Sequence, residues 1–162
     1  VIMENNLTFE EHINNIVSQC SQQLYALRVL NSHGLYGSNM WDVTKATLVV
    51  KIMYASQVWW EFASSSEKMR LQAILNKATK LKYLQPNSTN LSDLCETADE
   101  TLFRKILHNP NHVLYSLLPP VKNTGHELRE RAHDRQLPSV KDAKDTLLKK
   151  TFIHRMLYKD SY

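Results

Sequence analysis

A chain of 162 residues with 43% apolar and 22% charged side chains can bury a core as one domain or slightly more, which argues against a free-standing multidomain enzyme and excludes wholesale disorder and collagen-like or mucin-like repeats. Only 3 Gly and 5 Pro occur, too few for Gly-cornered strands or Gly-rich phosphate loops, so the expected fold is all-α, a bundle of about five to seven helices. The net charge of +4 is divided unevenly, −2 over residues 1–66 and +6 over residues 67–162, an asymmetry that favours a polyanionic partner.

In chain order, residues 1–6 read as the end of a strand. Thr8 and Glu11 have the spacing of a capping box, which predicts a helix start. Phe9, Ile13, Ile16, Val17, Cys20, Leu24 and Leu27 then recur at helical spacing until Gly34 closes the C-terminus. Ser38 or Asn39 caps a second helix running through Trp41, Val43, Leu48 to Val50 and Ile52 to Tyr54, apolar nearly all round and so expected to be the most buried. The aromatic cluster Trp59, Trp60 and Phe62 reads as core, and Ser64 with Glu67 as a further capping box.

The third helix, about 67–84, places Leu71, Ile74, Leu75, Ala78 and Leu81 inward. Arg70, Lys77 and Lys80 fall together on its flank, with Lys68 and Lys82 nearby and no acid from Lys68 to Ser92. A basic stripe without counter-charge repels itself unless something neutralises it, which makes these three the first candidates for phosphate contact, against the plain alternative of a solvated face.

After a loop at Pro86 to Asn90, a short helix is expected over 91–96 and another, capped by Thr97 and Glu100, ending near His108 before Pro110. A turn over 112–118 leads into Pro119 and Pro120, and 121–140 reads as an extended, irregular connector. There Arg129, Arg131, His133 and Arg135 are spaced by two, so an extended backbone points all four the same way; the arginines are the second set of candidates. A basic helix over 144–158, with Leu148, Phe152 and Met156 on one side, ends the chain.

No catalytic or metal-binding pattern emerges. There is no Asp-Asp pair, and Cys95, His108 and His112 match only the distal half of a zinc finger, with Pro110 keeping the two histidines off a common helical face. Cys20 and Cys95 read as packing residues, and two cysteines without local partners suit a reducing, intracellular setting, nucleus or cytoplasm. No apolar run is long enough to cross a membrane, and a start at Val1 suggests a piece of something longer.

Three spaced motifs, Leu7-Thr8-Phe9-Glu10-Glu11-His12-Ile13, Leu24-Tyr25-Ala26-Leu27-Arg28-Val29-Leu30 and Tyr54-Ala55-Ser56-Gln57-Val58-Trp59-Trp60, resemble the stretch after the catalytic palm in reverse transcriptases of non-LTR retrotransposons of the jockey kind. Leu71-Gln72-Ala73-Ile74-Leu75-Asn76-Lys77-Ala78 and residues 128–138 resemble the C-terminal part of the same reading frames.

The resemblance implies that 1–7 end the palm hairpin, 8–84 form the thumb, 85–120 continue it in helices, and 121–162 are a basic connector and terminal helix. It implies binding of an RNA/DNA template-primer without regard to sequence, and docking on a palm that this chain lacks. It further implies no catalysis by this chain and no cofactor in it, the divalent metal belonging to the palm. The Cys-Cys-His-Cys knuckle of some relatives has no match here. The competing reading is a helical protein-interaction module docking through the region of Trp41, Trp59 and Trp60.

Overall fold

The computed structural model describes residues 1–86, 90–122, 133–137 and 146–159. The described chain is mostly helical, in line with the all-α expectation, and contains no strand. It forms two compact units, Val1–Glu96 and Thr97–Tyr162.

In the first unit, residues 1–7 make a turn in which the Leu7 amide donates to the Glu4 carbonyl (2.9 Å). The strand remnant expected there is therefore corrected. Helix α1 spans Glu10–Ser32, and its N-terminus is capped differently from the Thr8–Glu11 box. The Glu4 carboxylate accepts the Glu11 amide (3.0 Å) and the Thr8 hydroxyl (2.9 Å), placing a negative charge on the amide end of the helix. The expected stripe is buried: Phe9, Ile13, Ile16, Cys20, Leu24 and Leu27. Gly34 ends the helix at φ 94°, where the Leu35 amide reaches the Leu30 carbonyl and the Gly34 amide that of Asn31, each at 3.1 Å.

The second helix is not one continuous rod. Helix α2 (Gly37–Thr44) passes through a π-helical turn (Lys45–Val49) into α3 (Val50–Met53), and neither Ser38 nor Asn39 caps it, since both lie in its first turn. Met40, Thr44, Leu48 and Ile52, four apart, are fully buried, while Val50 is 59% exposed. The helix stops before Tyr54 because Ala55 takes a left-handed conformation (φ 52°, ψ 31°); the Tyr54 carbonyl freed by the break accepts the Trp59 indole N–H at 3.1 Å. Helix α4 (Ser56–Trp59) and a 3-10 turn (Trp60–Phe62) follow, and both tryptophans are buried, as the aromatic cluster predicts.

His12 lies in this core with its ring edge-on to Trp59 (5.8 Å between centroids), and its Nε2 meets no hydrogen-bond partner. Burial lowers its pKa from the ordinary 6.5. The unfolded chain therefore binds a proton that the folded chain refuses, and stability is lost as pH falls below about 6.5. Replacing His12→Leu should flatten that loss in urea titrations between neutral and mildly acidic pH; an unchanged pH profile would assign the acid sensitivity elsewhere.

Helix α5 (Ser65–Lys80) starts at the expected capping box: the Glu67 amide donates to Ser64 Oγ (3.3 Å) and the Ser64 amide to the Glu67 carboxylate (2.7 Å). It ends at Lys80, short of the expected 84, because Lys82 turns left-handed (φ 61°) and the Tyr83 amide bonds back to the Ala78 carbonyl (2.9 Å). Leu71, Ile74, Leu75 and Ala78 are buried, but Leu81, now in the cap, is 44% exposed. A lysine at a position that glycine occupies without strain costs stability, so Lys82→Gly should raise that of this unit by about 1 kcal/mol in denaturant titration. A decrease would show that the Lys82 side chain has a stabilising role of its own.

Helix α6 (Leu91–His108) is continuous where two helices were expected. No Gly or Pro interrupts it, and Leu91, Cys95, Asp99, Phe103 and Ile106 make one buried stripe, so Thr97 and Glu100 lie inside the helix and not at its start. The boundary between the units falls within α6.

In the second unit, a 3-10 turn (Tyr115–Leu117) precedes Pro119. Pro120 and Lys122 then pair with the connector: the Lys122 amide donates to the Asp134 carbonyl (2.7 Å) and the Gln136 amide to the Pro120 carbonyl (3.0 Å). The terminal helix expected over 144–158 is two helices, α7 (Thr146–Lys150) and α8 (Phe152–Tyr158). They part at Thr151, whose amide (3.0 Å) and hydroxyl (2.7 Å) both turn back to the Leu148 carbonyl. The break leaves Leu148 37% exposed while Met156 and Leu157 pack with Phe103, the core of this unit.

Candidate nucleic-acid interface

The α5 helix runs without a break, so at 100° per residue Arg70, Lys77 and Lys80 fall within an arc of roughly 80°. All three are exposed, and so are Ser66, Met69, Ala73 and Asn76 on the same side of the helix. The outward face of α5 thus carries three cations and no carboxylate. Lys77 and Lys80 extend from the C-terminal turn, where the helix carbonyls favour positive charge. Arg70 is held in place: one guanidinium N–H donates to the Asn14 side-chain oxygen of α1 at 2.9 Å. No periodicity announces this contact, because 56 residues separate its partners.

The neighbouring cations differ. Lys68 lies over the Trp60 ring (4.7 Å to its centroid) and 3.6 Å from the Glu61 carboxylate, so its charge is largely answered within the fold. Lys82 is exposed in the cap that ends α5.

The second set of sequence candidates fares otherwise. Arg129 and Arg131 lie outside the described residues. Arg135 does not face solvent: its side chain is 10% exposed. Its guanidinium lies 5.0 Å from the centroid of the Tyr115 ring and donates to the Tyr115 hydroxyl (3.0 Å) and the Pro119 carbonyl (3.2 Å). His133 is buried too, with Nε2 2.8 Å from the Leu157 carbonyl and its ring edge-on to Phe103. The spacing of two does put His133 and Arg135 on one side of an extended backbone, but that side is the interior, and Asp134 between them faces water. Arg135 therefore stays out of the contact set proposed below.

Elsewhere in the second unit a cavity of about 300 Å³ is floored by Phe103, Leu107 and Met156 and rimmed by Glu100, Arg104, His108 and Lys159. Lys159 bonds Glu100 at 2.6 Å and holds its carboxyl below the usual carboxylate range, so the rim presents charges of both signs.

Neither cysteine is placed as a nucleophile. Burial pushes the Cys20 thiol up to about 11, keeping it protonated at neutral pH, and Cys95 Sγ packs 3.9 Å from Met53 Sδ. His108 bonds its own Arg104 carbonyl (2.8 Å), and His112 Nδ1 accepts the Leu114 amide (3.1 Å). Among the described residues no three His, Cys, Asp or Glu side chains gather as a metal ion requires, and no helix is long and apolar enough to cross a membrane.

Comparison with protein-family models, with curated proteins and with solved structures finds no match to this chain.

Proposed function

We propose that this chain grips nucleic acid through its phosphate backbone, as the thumb and post-thumb portion of a retrotransposon RNA-directed DNA polymerase whose catalytic palm lies outside it. The observation that supports this reading is the outward face of α5, where Arg70, Lys77 and Lys80 stand without a carboxylate. Phosphate contacts from such a face hold a duplex in register and read no base sequence. The polymerase assignment adds the resemblance of residues 7–84 to it.

The test is fluorescence anisotropy with a labelled RNA/DNA duplex over a range of salt concentrations. Binding that weakens linearly in log–log form as salt rises, and that is indifferent to base sequence, is expected. Absence of binding at low salt, or binding that ignores salt, overturns the grip.

A second reading, docking on another protein, has one observation in its favour. Trp59 and Trp60 themselves are buried and Trp41 is half-buried. Val50, Tyr54 and Val58, between these tryptophans, are 59%, 65% and 51% exposed. Self-association in sedimentation velocity that Tyr54→Ser abolishes, together with no affinity for the duplex, would favour docking over the grip.

A further inference from the structure

The basic face of α5 has a neighbour. Asn14 of α1 meets Arg70 at 2.9 Å, and Phe9, just ahead of α1, meets Phe62, just ahead of α5, at 5.6 Å between ring centroids. Contacts in the same order along both segments mean that the two helices start from one end and advance in the same sense.

Each helix rises about 1.5 Å per residue, so seven and eleven residues beyond Asn14 bring Ser21 and Tyr25 level with Lys77 and the end of α5. Asn14, Ser21, Tyr25 and Arg28 lie on one line of α1, and all four are exposed. The Ser21 hydroxyl turns back to the Val17 carbonyl (2.8 Å) and is occupied. Tyr25 is 70% exposed, and Arg28 has no ion pair among the described residues.

From Asn14 onward this line is free of acid, its one carboxylate being the exposed Glu10 a turn earlier: no Asp or Glu occurs between Glu11 and Asp42, nor on α5 between Glu67 and Asp93. An arginine one turn beyond a solvent-facing tyrosine, carrying the row of cations on α5 about a turn further and with no acid of α1 near it, suits a sugar–phosphate backbone. The guanidinium takes the phosphate, and the phenol donates to a nearby phosphate or sugar oxygen. The geometry points to α1 as the second wall of the nucleic-acid face, with Arg28 as an ionic contact and Tyr25 as an uncharged donor to the same backbone. This rests on the reading of α5 given above and extends it to a second helix.

The two roles leave different signatures in salt titrations of the full chain on an RNA/DNA duplex. Arg28→Gln should reduce the slope of log K against log salt by about 0.9, the counterion share of one phosphate. Tyr25→Phe should weaken binding about threefold to tenfold at every salt concentration and leave the slope unchanged, because the lost hydrogen bond is uncharged. Lys77→Gln on α5 is the reference. If Lys77→Gln lowers the slope while Arg28→Gln and Tyr25→Phe bind like the parent chain, α1 is no wall and the α5 reading stands. If Lys77→Gln also changes nothing, the α5 reading falls and takes the second wall with it. Unaltered far-ultraviolet circular dichroism of all three variants, which replace exposed side chains with good or isosteric helix residues, separates loss of contact from loss of fold.

Discussion

Exchanging Arg70, Lys77 and Lys80 together for glutamate should reduce the affinity for an RNA/DNA duplex by roughly 500-fold at about 0.1 M salt and flatten the salt slope by about 2.7. Both figures have one origin. Each phosphate neutralised releases close to one condensed counterion, so each contact contributes about 0.9 to the slope and, at 0.1 M salt, a factor of about eight to the binding constant. The effect should hold for every duplex sequence, because phosphate contacts carry no base information. The fold should tolerate the change, since the three side chains are exposed. Some destabilisation is expected from placing acids at the C-terminal turn of α5, about 0.3–1 kcal/mol each, which an alanine triple variant avoids. An unchanged slope in either triple variant rejects α5 as the contact surface.

The second large effect concerns stability of the C-terminal unit. Asp99 occupies a position in the buried stripe of α6 where an apolar residue would be ordinary, and its side chain is only 7% exposed. Its carboxylate takes a 2.7 Å bond from Arg155 of α8, and the adjacent Glu100 bonds Lys159 at 2.6 Å, so two successive residues of α6 tie down α8 and the residue that caps it. Arg155 is itself 19% exposed, and another of its N–H groups reaches the Lys150 carbonyl at 3.3 Å.

Removing one partner of such a pair strands the other without its counter-charge, a loss on the order of 3–5 kcal/mol, whereas Glu100→Gln, at a more solvated pair, should lose no more than about 1 kcal/mol. Asp99→Ala should therefore lower the unfolding midpoint of this unit far more than Glu100→Gln. The double variant Asp99→Leu with Arg155→Met should recover much of the loss, because an apolar pair needs no compensation. Equal, small effects from Asp99→Ala and Glu100→Gln would mean that water already solvates the Arg155 guanidinium.

The contrast between Arg70 and Arg135 shows where sequence reasoning stops. Both were candidates on charge and spacing. Arg70 lies on a helix whose inward face is fixed by Leu71, Ile74, Leu75 and Ala78, so its outward direction follows from the period of the helix. Arg135 lies on an extended piece, where a spacing of two says that neighbours agree in direction and not which direction it is. That choice was made by His133 bonding the Leu157 carbonyl and by Tyr115 receiving the guanidinium, contacts spanning 24 and 20 residues.

By itself the amino-acid sequence determined the all-α class, the buried stripes of α1 and α5, the capping box at Ser64, the stop at Gly34 and the acid-free face of α5. All of these arise from interactions within a few residues, where helical period, side-chain capping and glycine's backbone freedom act alone. Only the tertiary structure decided that Glu4 caps α1, that α6 runs through a capping box without stopping, that the last helix breaks at Thr151 and that Arg70 leans on Asn14. In each of these, a local preference competes with burial or a partner distant in sequence, and the stronger interaction cannot be identified until the chain has packed.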